Sequence, residues 1–155
     1  MTAEVTSPAA APRSDLGQQY VRRCQEVNVR PIAEVLDALE ADVEHCVLPK
    51  GKRPNSRDVA VLAALLPLSR IRHLDVTGFA VGPEGASILA GVLRGLSLVT
   101  LRAGRADVRD EGACALARAL ESHQTLATLD LRGNSLNAAA ACKLAPLLSA
   151  PGGCL

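Results

Sequence analysis

Two histidines and a carboxylate stand where a metal could be held: His45 and His73 lie 28 residues apart, and Asp75 follows the second by two. If they occupy equivalent positions on adjacent strands, a two-histidine, one-carboxylate site with an open coordination position, capable in principle of hydrolysis, is conceivable. Nothing else supports it. The chain has no nucleophile elbow, no Gly-rich phosphate loop, no H-E-x-x-H and no acid pair placed by a motif. We therefore expect no catalytic residue, no metal and no cofactor, and read the histidines as polar residues on a solvated strand face.

Charged residues recur at similar intervals. Asp75, Arg102 and Asp130 alternate in sign, with His73, Thr100 and Thr128 two residues before them and Thr77, Gly104 and Arg132 two after. Placed on neighbouring strands, the three charges would stabilise one another, each pair contributing about 0.2 to 1 kcal/mol. The functional alternative is a polar recognition strip for a charged partner segment. A second concentration of charge, Lys50-Gly51-Lys52-Arg53-Pro54-Asn55-Ser56-Arg57, is either a solvated loop or a contact for an acidic protein, a phosphate or nucleic acid. Tyr20 and Phe79 are the only aromatic residues, so base stacking, and with it sequence-specific reading of nucleic acid, is not expected.

Five cysteines make an odd number without close metal-type pairs. Cys114 and Cys142 fall at equivalent repeat positions and are expected to stack on adjacent helices as small buried hydrophobes. Cys154, near the C-terminus, is a candidate exposed thiol, with no base identifiable nearby.

The elements that position these residues follow from a recurring leucine spacing. Leu126-Ala-Thr-Leu129-Asp-Leu131-Arg-Gly-Asn134-Ser-Leu136 has the form L-x-x-L-x-L-x-x-N-x-L, and the frame also fits Leu98/Leu101/Ala103/Val108, Ile71/Leu74/Val76/Val81 and, less well, Val43/Cys46/Leu48. A fifth copy begins at Leu155, and the starts differ by 28, 27, 28 and 29 residues. After each strand come residues on one helical face: Gly85, Leu89, Leu93; Gly112, Leu116, Leu120; Ala140, Leu144, Leu148. Pro83 after Gly82, Asp110, Asn137 and the Asn55-Ser56 pair supply helix starts. The small residues Gly85, Gly112 and Ala140 are expected to let helix and strand layers approach closely.

This pattern resembles the ribonuclease-inhibitor type of leucine-rich repeat over residues 43–155. The resemblance implies an α/β solenoid, a short horseshoe with parallel strands on its concave side and helices on its convex side. It also favours buried cysteine or alanine at positions such as Cys114 and Cys142. It says little about function, because one scaffold serves many partners. Scarcity of aromatics argues against ribonuclease inhibition itself and favours weak or avidity-assisted binding.

Residues 15–42 do not repeat. Tyr20 to Cys24 and Pro31 to Leu39 read as two short helices, with Ile32, Val35, Leu36 and Leu39 on one face, forming an N-terminal cap over the repeat at Val43. The Tyr-x-x-x-Cys element followed by a proline also resembles the head of some centrosomal and ciliary leucine-rich repeat proteins, which implies a cytoskeletal setting. Residues 1–14, rich in Ala, Pro and Ser, read as a disordered tail without signal-peptide character. At the other end Leu144, Leu147 and Leu148 have no covering segment. The sequence is then either part of a longer solenoid or presents an edge for a partner or a second copy.

With 155 residues, 48% hydrophobic content and a formal net charge of +1, the chain has the size of one domain, and no apolar run is long enough for a membrane span. We expect a cytoplasmic, non-enzymatic protein-interaction module, an adaptor or scaffold. Its partner-binding residues would be His45, His73, Asp75, Thr100, Arg102, Thr128, Asp130 and Arg132 on the concave face, possessing no membrane contact. The alternative is an electrostatic binder acting through Lys50, Lys52, Arg53 and Arg57.

Overall fold

Each apolar residue flanked by two polar or β-branched neighbours in the leucine frame sits at the centre of a short strand. In a computed structural model, which describes residues 14–149, the strands are β1 His45–Val47, β2 His73–Asp75, β3 Thr100–Arg102 and β4 Thr128–Asp130. They form one parallel sheet in the order β1-β2-β3-β4, so among the described residues the sheet stays open and does not close into a barrel. The central residues Cys46, Leu74, Leu101 and Leu129 point into the core, and their neighbours face the other way. Register pairs His45 with His73, His73 with Thr100 and Thr100 with Thr128. The backbone ladder continues past the strands, Gly51 N–H reaching Gly78 O at 2.7 Å and Arg105 N–H reaching Arg132 O at 2.8 Å.

Helices α3 (Ser56–Leu65), α4 (Gly82–Leu93), α5 (Arg109–Leu120) and α6 (Ala138–Ser149) return the chain between and after the strands, each packing on the next. Their apolar faces, including Leu62, Leu89, Leu93, Leu116 and Leu120, meet the strand leucines in one aliphatic core. Asn55 starts α3 with a reciprocal cap: its side chain accepts from Asp58 N–H at 2.9 Å, and its own N–H donates to Asp58 Oδ2 at 2.7 Å. Asn137 caps α6 by accepting from Ala140 N–H at 2.9 Å.

Asp110 departs from expectation. It lies inside the first turn of α5, whose N-cap is Val108 without a side-chain bond. Its carboxylate instead accepts from Asn137 N–H at 2.8 Å and Asn137 Nδ2 at 2.6 Å, tying the starts of α5 and α6 together. The small helical residues also serve a different contact from the one expected. A β-carbon on Gly112 would lie 2.7 Å from Ala86 Cβ and 3.2 Å from Pro83 Cα, both on α4, while one on Gly85 would lie 3.2 Å from Val59 of α3. They let helix approach helix rather than helix approach strand.

The non-repeating start forms α1 (Ser14–Glu26) and α2 (Ala33–Glu40). Tyr20 and Cys24 are buried, and the Tyr20 hydroxyl accepts from Ile32 N–H at 2.9 Å, pinning the entry to α2. Burial raises the Tyr20 hydroxyl and Cys24 thiol above their ordinary ranges, because the charged forms would lose solvation. Helix α1 packs on α2 and α3, and α2 packs on β1. Val43, aligned with the leading leucine of later repeats, is nevertheless 41% exposed, while Cys46 and Leu48 are buried.

No helix among the described residues is long and apolar enough to cross a membrane. Apart from Ser14, which begins α1, the expected tail lies outside the described residues, as do Cys154, Leu155 and the side chain of Leu148.

Candidate functional site

The sheet places most of the sequence-derived candidates on one exposed surface. Its first column is His45, His73, Thr100 and Thr128; its second is Val47, Asp75, Arg102 and Asp130. His45 and His73 stack face to face, ring centroids 4.2 Å apart and planes within 10° of parallel. Stacked rings carry their nitrogens in parallel planes rather than aiming them at a shared point. A ring nitrogen of His73, Nδ1, is moreover 3.1 Å from Thr100 Oγ1, and Asp75 Oδ1 accepts from Thr77 N–H at 2.8 Å. The trio that suggested a metal site is thus engaged in stacking and local hydrogen bonds.

The expected charge pairing across strands does not form. Asp75, Arg102 and Asp130 are register neighbours, but Asp130 turns to its own strand's continuation. It takes Arg132 Nε at 2.9 Å and Nη2 at 2.8 Å, and Arg132 N–H at 3.0 Å. The Arg132 hydrogen bonds hold Asp130 below the usual carboxylate range against partial desolvation, with a small contribution from the Arg102 charge. Among the described residues neither Arg102 nor Lys50 forms an ion pair. Gly104, which aligns with Thr77 and Arg132 in the repeat, is buried between them.

A hollow of about 890 Å³ opens on this face, lined by Lys50, Asp75, Arg102, Asp130 and Arg132 together with Leu131 and Leu144. Lys50 reaches it because its stem lies against Gly78, where an added β-carbon would be 3.4 Å from Lys50 Cβ.

The basic stretch therefore does not act as one patch. Lys50 joins the sheet face, Lys52 is exposed, Arg57 lies exposed in the first turn of α3, and Arg53 lines a separate hollow of about 820 Å³. There it meets Arg105 and Arg109, which sequence reasoning did not single out because they are remote along the chain. Asp107 lies among them and binds Arg109 through Nε at 2.9 Å and Nη2 at 3.2 Å, bonds that lower the Asp107 pKa and raise that of Arg109.

The far edge of the sheet is a third region. Leu126, Leu131 and Leu136 are half-buried, whereas their counterparts Leu98, Ala103 and Val108 are fully buried. Each earlier unit is covered by the next, and among the described residues β4 pairs with β3 alone.

No protein-family model matches the chain, and no curated protein matches it.

The cysteines correct a further expectation. Cys114 is half-buried and Cys142 exposed, while Cys24 and Cys46 are buried; all four are free thiols. Cys142 follows Ala140 by two residues, or about 200° around the helix, which turns it away from the packed face, whereas Cys114 still packs in part against the core. The buried Cys46 thiol is pushed up to about 11 by desolvation, with Glu34 adding to the effect. His123, unweighed in the sequence, is a local structural group: its Nδ1 accepts from Leu126 N–H at 3.1 Å, and burial lowers its pKa.

Proposed function

We propose that this chain is a ribonuclease-inhibitor-type leucine-rich repeat protein, with α1 and α2 as its N-terminal cap. In this reading it is a non-enzymatic interaction module that binds a protein partner through the exposed face of the sheet. The fold assignment is supported by in-register pairing of residues at equivalent repeat positions and by the leucine frame at every strand after the first. The functional assignment rests chiefly on one observation. The sheet face carries a mostly polar surface, with Val47 as its exposed apolar residue at β1, and its cations Lys50 and Arg102 form no ion pair among the described residues, beside half-buried leucine at β4. Such a mixture of charge and apolar surface suits recognition of another chain, whereas the aromatic anchors of very tight interfaces are missing.

A second reading has its own observation. Arg53, Arg105 and Arg109 gather around one hollow, which favours an electrostatic binder of phosphate or another acidic group, although Asp107 already occupies part of that charge. Affinity capture with the full chain separates the two. The variant Arg102→Glu/Thr128→Arg is expected to lose the proteins captured by wild type, and Arg53→Glu/Arg105→Glu to retain them. Retention by the first variant with loss by the second would overturn the sheet-face assignment and favour the arginine rim.

A further inference from the structure

We propose that the sheet-face hollow takes a short extended peptide segment in which an acidic side chain lies one or two residues from an aliphatic one. This inference rests on the interaction reading above and specifies the chemistry of the partner. Its first support is charge. The wall carries three cations, Lys50, Arg102 and Arg132, against two carboxylates, Asp75 and Asp130. Arg132 is consumed by the two-pronged bond to Asp130, and one oxygen of Asp75 is taken by Thr77 N–H. Arg102 and Lys50 remain exposed without an ion pair among the described residues. An incoming carboxylate meets an open guanidinium there, while an incoming cation finds Asp130 engaged by Arg132 and only one oxygen of Asp75 free, beside two unpaired cations.

The second support is the placement of apolar surface. Half-buried Leu131 and buried Leu144 line the same hollow at its β4 end, one strand beyond Arg102. Neighbouring strands are about 4.8 Å apart and an extended chain advances about 3.3 Å per residue, so acid and aliphatic group must be adjacent or next but one. A volume of about 890 Å³ accommodates a short extended segment. Basic peptides and nucleic acid are disfavoured by the unpaired cations and by the lack of stacking residues, respectively.

Selection of random dodecapeptides displayed on phage against the full chain tests this, using the recovered peptides as probes in fluorescence anisotropy. The expected pool is enriched in Asp or Glu within two positions of Leu, Ile or Val. Changing that acid to its amide, or Arg102→Gln in the protein, should each weaken binding by about tenfold, the worth of one charge-assisted hydrogen bond. Failure to recover any binding peptide overturns the proposal, as does an acid–aliphatic pool indifferent to Arg102→Gln. Peptides of other chemistry that Thr128→Arg abolishes would overturn this inference alone. Peptides indifferent to Thr128→Arg would overturn it together with the sheet-face reading.

Discussion

Asn134 is the polar residue on which the last turn depends. It is 3% exposed, and its side chain accepts from Ala106 N–H at 2.9 Å and Val108 N–H at 3.1 Å while donating to Ala103 O at 2.6 Å and Leu131 O at 2.8 Å. One amide thus satisfies backbone groups of two successive turns that would otherwise be buried without partners. Asn134→Ala should lower stability by about 2 to 4 kcal/mol, since several buried groups lose their bonds together. Urea unfolding of wild type and variant measures this, and a difference below about 0.5 kcal/mol would contradict the role. The position was legible in L-x-x-L-x-L-x-x-N-x-L, but the bonds that Asn134 makes to the preceding turn were not, because a motif position does not specify its partners. That Asp130 prefers Arg132 to Arg102 was not legible either, because strand register specifies which residues are neighbours and not which rotamers meet.

At the scale of elements, close approach of α4 and α5 depends on Gly112. A β-carbon there would meet Ala86 Cβ, Val108 Cγ1 and the backbone at Pro83 Cα within 3.2 Å, and backbone cannot swing aside as a flexible side chain can. Gly112→Ala is expected to destabilise by about 1 to 3 kcal/mol through overpacking. Gly91, on the exposed side of α4, has nothing within 4 Å, so Gly91→Ala should stabilise by about 0.5 to 1 kcal/mol through reduced unfolded-chain entropy. Thermal unfolding of the two variants checks the opposite signs; two shifts of the same sign would contradict this packing. Element positions were readable because the apolar period switches from 2 in strands to 3.6 in helices. The function of Asp110 as a strap to Asn137, rather than a cap, was hidden because either use suits an aspartate near a helix start. Cys142 was misread for a related reason: repeat equivalence gives neighbours along the stack, while outward or inward direction depends on the helical angle within one repeat.

Across the whole molecule, four parallel strands and the helices between them build one face from residues drawn from β1 to β4. The sequence supplied the columns of this face. It did not indicate that Lys50 leaves the basic stretch to join them, or that Arg53 joins Arg105 and Arg109 elsewhere, because loop paths across the rim are set by turns and caps rather than by charge. The resulting division of cations makes the location of binding the central question. Site-specific photo-crosslinking addresses it directly, with a photoreactive residue at Thr128 on the sheet face, at Arg105 on the arginine rim or at Gly91 on the exposed side of α4. Crosslinks to another protein from Thr128, with none from Arg105 or Gly91, are the predicted result. Crosslinks confined to Arg105 or Gly91 would contradict a partner-binding sheet face.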